Sequence, residues 1–172
     1  MITKLACFML TTAAALLLTG CGQGGLSGYQ NSWLQPQDIS SVYVEMFDAG
    51  GFRRGYEFTL TDAVCKRIEA QSPYKIVSDR SLADSILSGT VTTGAGVLAG
   101  DRNTGTPLEQ EALVQVCVTW KNLKTGRLML DNQIVYASAG YSARMGQTFE
   151  QSADAAVNKA AQKVVELMEQ PW

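Results

Sequence analysis

Apolar and polar residues alternate along four stretches of the chain, which is the pattern of half-buried β-strands. These stretches are residues 39–47, 85–93, 109–121 and 127–139. In the last stretch the apolar residues that keep phase are Leu128, Leu130, Ile134 and Tyr136. The pattern predicts four main strands, a glycine-containing loop over residues 94–107, and a tight hairpin turn over residues 122–126, in which Gly126 supplies a positive φ.

Two further stretches have apolar residues three or four apart, which predicts amphipathic helices. The first helix, residues 56–71, carries Leu60, Val64 and Ile68 on one stripe and ends before Pro73, because the residue before a proline disfavours the helical region. The second helix covers residues 147–169, and its many alanines would let it lie close to a sheet.

The element order β-α-β-β-β-α predicts an α+β two-layer sandwich, in which a four-stranded mixed sheet carries both helices on one face. The other face of the sheet stays open in this arrangement. Because that face is not fully polar, it is a candidate partner surface.

The N-terminus has the pattern of an exported lipoprotein. Lys4 is followed by a mostly apolar run over residues 5–18, and the run ends in Leu18-Thr19-Gly20-Cys21, which resembles a bacterial lipobox. The run is shorter than the ~20 residues of a membrane-spanning helix and has the length of a signal-peptide core. An ordinary secretory signal cut elsewhere and an N-terminal core helix are the alternatives. The order of the three features favours lipidation of Cys21.

We therefore divide the chain into a lipoprotein signal peptide (1–20), a lipidated flexible tether (21–38) and a folded domain (39–172). Two or more acyl chains, such as palmitate, on Cys21 would anchor the domain stably. Gly22 follows Cys21, where Asp would mark retention in the inner membrane, so we expect the periplasmic face of the outer membrane. The tether has a root-mean-square span of about 20–25 Å, which favours a partner in the same membrane.

Composition argues against several functions. The formal net charge is −2 and no basic stripe is present, so nucleic acid is not an expected partner. The chain has no histidine, and therefore lacks the commonest general base and zinc ligand. The spacing of Gly94, Gly96 and Gly100 does not fit a dinucleotide loop. We expect no enzyme activity, cofactor or metal.

Cys65 and Cys117 are the cysteines of the predicted domain. If the valine face of the third strand meets the helices, Cys117 lies on the opposite side of the sheet from Cys65. A disulfide requires Cα atoms within about 7 Å. We therefore predict two free, mostly buried thiols.

Several segments together resemble the lipopolysaccharide-assembly lipoprotein family (LptE). After the lipobox and Gly28-Tyr29, they are residues 57–61 (EFTLT), 72–77 (SPYKIV), 83–91 (ADSILSGTV) and 118–126 (VTWKNLKTG). The resemblance covers nearly the whole mature chain, and the order and spacing of the segments carry it. It implies a sandwich of two helices and four strands and a role without catalysis.

The same resemblance implies that the lipoprotein plugs an outer-membrane β-barrel partner (LptD-like), supports lipopolysaccharide assembly and binds lipopolysaccharide. Phosphorylated lipid A requires Arg or Lys, so Lys121, Lys124 and Arg127 at the hairpin turn are candidate lipopolysaccharide-binding residues. A solvated turn is the simpler interpretation of these three residues. The alternative function is an outer-membrane lipoprotein that regulates an envelope enzyme or secretion pore through protein contacts.

Overall fold

The computed structural model describes residues 38–169. The predicted signal peptide, Cys21 and the tether as far as residue 37 lie outside the described residues. The strands are β1 (Ser41–Val44), β2 (Asp48–Ala49), β3 (Lys75–Ile76), β4 (Ser85–Gly100), β5 (Pro107–Asn122) and β6 (Leu128–Tyr141). The helices are α1 (Tyr56–Gln71) and α2 (Phe149–Leu167). Both helices lie where the sequence pattern predicts them.

The sheet is mixed, with strand order β3-β1-β4-β5-β6 and β2 beside β4. β1 runs parallel to β3 and β4, and β4, β5 and β6 form an antiparallel meander. The α+β class is therefore confirmed, but the prediction of four strands is wrong because the sheet has six. The predicted first strand shortens to β1, the short strand β2 follows it, and the short extended segment at Lys75–Ile76 adds an edge strand.

The first strand ends early because the direction of its side chains changes. Val42 is fully buried and Met46 is 54% exposed, whereas Phe47 is buried in the core. The alternation that begins in β1 therefore fails at residues 45–47, and pairing with β4 resumes at β2, where Asp48 lies opposite Thr90. β2 thus begins directly after the predicted first strand.

The loop predicted over residues 94–107 is mostly strand. β4 continues to Gly100 and pairs with β5 along its whole length, so the connection shortens to residues 101–106. Glycine has low intrinsic β-propensity, and the sequence pattern therefore predicted the end of this strand too early. Pairing with β5, which is long and rich in β-branched residues, outweighs that preference.

The predicted phase of β6 is also wrong. A register shift opposite residues 118–120 places an additional residue in β6, where Asn132 has a φ of 46°. This bulge reverses the alternation. Leu130 lies opposite Trp120 on the helix side of the sheet, while Ile134 and Tyr136 are 51% and 62% exposed on the other side.

The core lies between the sheet and the helices. Leu60, Val64 and Ile68 of α1 are fully buried, as their spacing predicted. The facing surface of β5 consists of alternate apolar residues, namely Ala112, Val114, Val116, Val118 and Trp120. α2 contributes mainly small residues to this core, and it begins with a capping box in which Thr148 and Gln151 bond each other's backbone N–H groups.

One glycine has a packing requirement. A Cβ atom on Gly89 would lie 2.1 Å from the carbonyl oxygen of Cys117 and 2.9 Å from the Phe47 ring. The ring of Phe47 thus occupies the space that a side chain at position 89 would fill.

Candidate functional site

The sheet face opposite the helices carries exposed apolar side chains; we call it the open face. Leu113 is 42% exposed, and Ile134 and Tyr136 are more exposed still. Tyr136 pairs with Gln115 and Ile134 with Cys117, so these residues form adjacent rows across β5 and β6. Such clusters mark interaction sites more often than single exposed apolar residues do.

A shallow groove of about 590 Å³ crosses the open face toward the edge of β6. Its lining includes Thr92, Leu113, Gln115, Tyr136, Lys159 and Lys163. The groove is open to solvent and combines apolar side chains with two ammonium groups at one end. This arrangement suits contact with a partner of mixed polarity.

The outer edge of β6 is covered by side chains of α2. Lys163 Nζ donates to the carbonyl oxygen of Tyr136 at 2.7 Å, and Lys159 Nζ donates to that of Ser138 at 3.0 Å. Ser152 Oγ donates to the carbonyl oxygen of Gly140 at 3.2 Å. Three successive outward carbonyl groups of the edge strand are therefore occupied.

The three predicted lipopolysaccharide-binding residues lie together at the β5–β6 turn, and all three are exposed. Lys124 nevertheless has a partner, because its Nζ atom lies 2.6 Å from Asp84 Oδ1. The turn itself is fixed by Asn122, whose Oδ1 atom accepts from the backbone N–H groups of residues 124 and 125. Gly126 has a φ of 74°, as predicted. Lys121 and Arg127 form no ion pair within residues 38–169.

Asp84 joins three separate segments. Its Oδ2 atom accepts from Ser40 N at 2.9 Å, Ser40 Oγ at 2.5 Å and Ser41 N at 3.0 Å, and Oδ1 contacts Lys124. The Lys124 ammonium, followed by the Ser40 hydroxyl and backbone N–H, holds the pKa of the Asp84 carboxyl well below its usual range. We call this group the Asp84 clamp.

The sequence indicated only part of the clamp. An Asp directly before a strand is typical of a local hydrogen bond to the turn that starts the strand. The structure instead connects Asp84 to residues more than 40 positions earlier in the chain. The parallel pairing of Val42 with Ser85 brings the two strand starts together.

Cys65 and Cys117 are both free, as predicted, although each is half-buried rather than buried. Burial, and after it the nearby carboxylates of Glu69 and Asp62, raises the pKa of the Cys65 thiol. Cys117 lies on the open face, where its Sγ atom is 3.7 Å from Asn132 Oδ1.

Two further observations concern function. Across residues 38–169, no three His, Cys, Asp or Glu side chains are grouped so that they could hold a metal ion. The two helices α1 and α2 are not long and apolar enough to cross a membrane.

Comparison with known proteins identifies a shared fold. No protein-family model matches the sequence, and no curated protein matches it significantly. The solved structure of uncharacterized lipoprotein B from Nitrosomonas europaea superposes with a TM-score of 0.56 at 14% identity, covering 78% of this chain and 82% of that one. Rare lipoprotein B from Shewanella oneidensis gives 0.52 at 16% identity, covering 75% of this chain and 93% of that one.

A minor lipoprotein from Acinetobacter baumannii gives a TM-score of 0.50 at 14% identity, covering 74% of this chain and 91% of that one. At these identities the likeness shows the fold alone. The class of protein is therefore defined by architecture: an α+β sandwich of the kind found in these bacterial lipoproteins.

Proposed function

We propose that this protein is an outer-membrane lipoprotein that plugs and supports a β-barrel translocon for lipopolysaccharide assembly. Three features support the proposal: the lipobox at Cys21, a fold shared with several bacterial lipoproteins, and the resemblance of its strand and helix segments to the LptE family. The domain acts through its surfaces, held near the membrane by lipid on Cys21.

The observation that carries the proposal is the open face. A sheet covered by helices on one side normally exposes polar residues on the other, whereas Leu113, Ile134 and Tyr136 are exposed here. A lipid-anchored domain with a short tether would place this surface against a protein of the same membrane. The lumen of a large outer-membrane barrel is polar and is plugged by other segments in some barrels, and the groove offers such a wall Gln115, Lys159 and Lys163 beside these apolar side chains.

The basic turn is the candidate contact for lipopolysaccharide. Lys124 is paired with Asp84, so Lys121 and Arg127 are the residues whose charges are available to phosphate groups. A guanidinium binds phosphate through two parallel hydrogen bonds, and we therefore assign the larger share of binding to Arg127.

A pulldown of the full-length protein in mild detergent tests the barrel partner. We expect recovery of a large outer-membrane barrel protein, and we expect the double variant Ile134→Lys/Tyr136→Lys to recover much less of it. Phe58→Lys is the matched control, because Phe58 is 60% exposed on α1, away from the open face. Reproducible absence of a barrel, or equal recovery with all three proteins, would overturn the proposal.

The same pulldown distinguishes the proposed function from the alternative one, the regulation of an envelope enzyme or secretion pore. Regulation of an envelope enzyme requires the domain to reach its target, and the predicted tether spans only about 20–25 Å. Recovery of an enzyme or secretion pore in place of a barrel would establish that alternative.

A further inference from the structure

The two outer edges of the sheet are covered to different extents. β6 has three outward carbonyl groups occupied by side chains of α2. On the other side, β1 and β2 pair with β4 only as far as Val91. The chain after β2 still lies against Thr92, through Gly50 and Gly51. Beyond that point, the second half of β4 extends past its neighbour.

The direction of the backbone groups in this half of β4 follows from one hydrogen bond. Gly50 N donates to the carbonyl oxygen of Val91 at 2.8 Å, so the backbone groups of Val91 face away from β5. In an antiparallel pair the N–H and C=O of a residue face the same way and alternate along the strand. Thr93, Ala95 and Val97 therefore direct their backbone groups outward; we call the stretch Thr93–Val97 the free edge. Within residues 38–169, no strand pairs with its outer side.

The free edge has none of the features that prevent strand pairing. Natural edge strands usually carry Lys, Pro or inward-pointing charges. Over the whole of β4, Ser85–Gly100, there is no charged residue and no proline. An edge of this kind is a template for an additional strand, because its N–H and C=O groups are available and nothing repels the incoming backbone.

The free edge has room for one short strand. It is bounded at one end by residues 48–51, which lie beside β4 as far as Thr92, and at the other by the register shift at Leu98. At about 3.4 Å per residue the stretch between them is about 17 Å long, the length of a common strand. The same edge of a second copy does not fit, because a two-fold axis at Ala95 would bring its residues 98–100 against residues 48–51. The partner is therefore a different and shorter segment.

Two glycines of the free edge leave space on the open face. Gly94 lies opposite Leu113, and Gly96 lies opposite Glu111. A Cβ atom on Gly94 would meet nothing within 4 Å, and Leu113 is 42% exposed. Glycine inside a strand often marks the close approach of another backbone or a ligand. A side chain of an added strand can thus lean across Gly94 onto Leu113, which favours an apolar residue at that position of the partner.

The nature of the proposed barrel limits which part of it could supply this strand. The strands of a closed barrel are paired on both sides and have no free edge. Some barrels, however, hold loops inside the lumen, and an extended loop or terminal segment has unpaired backbone groups. The free edge is continuous with the open face, since Leu113 is one strand away. A barrel wall against the open face would bring such a segment within reach of the edge.

We propose that the free edge of β4 binds an extended loop or terminal segment of the barrel partner as an additional strand of this sheet. The segment carries an apolar side chain opposite Gly94, and this side chain packs on Leu113. The inference rests on the proposed function, because the barrel supplies the segment. It adds that backbone hydrogen bonds, and not only the side chains of the open face, hold the partner.

A proline in the free edge tests the backbone pairing. Ala95→Pro removes the outward N–H, and its ring occupies the space of the incoming strand. The hydrogen bonds to β5 are made by the neighbouring residues, so the full-length variant should fold, as circular dichroism would verify. In the mild-detergent pulldown, recovery of the barrel should fall about tenfold or more. Ala95→Val is the matched control; it keeps the N–H, has a higher β-propensity and should recover as much barrel as the natural protein.

The outcomes separate this inference from the proposed function. Failure of the natural protein to recover any barrel would overturn both. Equal recovery by the natural protein and Ala95→Pro would overturn the additional strand and leave the barrel contact standing. An equal loss with Ala95→Val would also overturn it, because the effect would then come from the side chain and not from the backbone.

Hydrogen exchange measures the pairing without any substitution. In the isolated protein the outward N–H groups of Ala95 and Val97 should exchange fast, whereas those of Gly94 and Gly96, which face β5, should exchange slowly. In the purified complex with the barrel, exchange at Ala95 and Val97 should slow about tenfold or more. Mass spectrometry of peptides that cover residues 92–99 measures this change. Unchanged exchange at Ala95 and Val97 in the complex would refute the additional strand.

Discussion

Substitution of Asp84 by Ala should destabilise the domain far more than its single charge suggests. The Asp84 carboxylate is 12% exposed and holds Ser40, Ser41 and Lys124 at distances of 2.5–3.0 Å. Without it, the start of β1 loses its side-chain connection to the start of β4. Two part-buried backbone N–H groups also lose their acceptor.

The expected magnitude follows from the contacts. A hydrogen bond to a charged group contributes about 1.5–3 kcal/mol, but bonds that share one oxygen are not additive. The Lys124 pair adds at most about 1 kcal/mol because the lysine is solvated. We therefore expect Asp84→Ala to lower the free energy of unfolding by about 3 kcal/mol, which for a domain of this size corresponds to a fall in Tm of about 10 °C.

The stabilisation by the Asp84 clamp should depend on pH in a definite direction. The folded-state pKa of Asp84 lies below its unfolded value, so the clamp's contribution is present above the unfolded pKa of about 3.9 and is lost as pH falls through the folded pKa. The difference in Tm between the natural protein and Asp84→Asn should thus be constant near neutral pH and should shrink only below about pH 4.

Thermal unfolding of the full-length protein in mild detergent, followed by circular dichroism, measures these differences. Asp62→Ala is the matched control, because Asp62 also has a lysine at 2.7 Å but its side chain is 62% exposed. That control should lower the free energy of unfolding by less than about 0.5 kcal/mol. If Asp84→Ala cost no more than Asp62→Ala, the structural role assigned to the Asp84 clamp would be refuted.

Three further predictions concern other parts of the domain. Gly89→Ala should lower the free energy of unfolding by about 3 kcal/mol or more in thermal unfolding, since the added Cβ would collide with a backbone carbonyl. In the control Gly94→Ala the added Cβ meets nothing within 4 Å, so the free energy of unfolding should change by less than about 0.5 kcal/mol. Equal losses in the two variants would contradict the packing argument. Combined substitution of Lys121 and Arg127 by Ala should weaken binding of purified lipopolysaccharide at unchanged Tm, and unchanged affinity would discard the site. Alkylation of Cys65, followed by mass spectrometry of its peptide, should have its half-maximal rate at a higher pH in the folded protein than in the urea-unfolded protein, because burial raises the pKa of this thiol; equal midpoints would contradict that effect of burial.

The sequence predicted the parts of the fold that depend on local periodicity. α1 matches residue for residue because Leu60, Val64 and Ile68 all point to the core and Pro73 stops the helix. β5 is recognisable because its alternate valines face the helices without interruption. In both elements, local preference and tertiary packing favour the same structure.

The strand predictions were wrong where pairing with a distant strand, rather than local sequence, determines the structure. Nothing local indicates that residues 94–100 are strand, since three of them are glycine, and only the long partner β5 makes them so. The additional residue at Asn132 reverses the phase of β6, and a shift of one position moves every side chain to the other face of a sheet. The two short strands β2 and β3 are defined by hydrogen bonds to their neighbours rather than by any pattern of their own.

The candidate sites also depend on contacts between residues that are far apart in the sequence. The three basic residues of the turn were grouped by proximity in the sequence, but the sequence could not show that Lys124 is paired with Asp84, because that contact joins residues 40 positions apart. The apolar open face was expected in outline. Its composition became clear only with the β6 bulge, which brings Ile134 and Tyr136 onto it.

The position of the Asp84 clamp places it beside the segment through which the chain enters the domain. The Asp84 clamp and the basic turn lie where β4 begins, close to Asp38, the last residue of the predicted tether, whose Oδ2 atom accepts from Asn122 Nδ2. Forces transmitted through the tether would therefore act on the clamp, where hydrogen bonds to a carboxylate resist separation of β1 from β4.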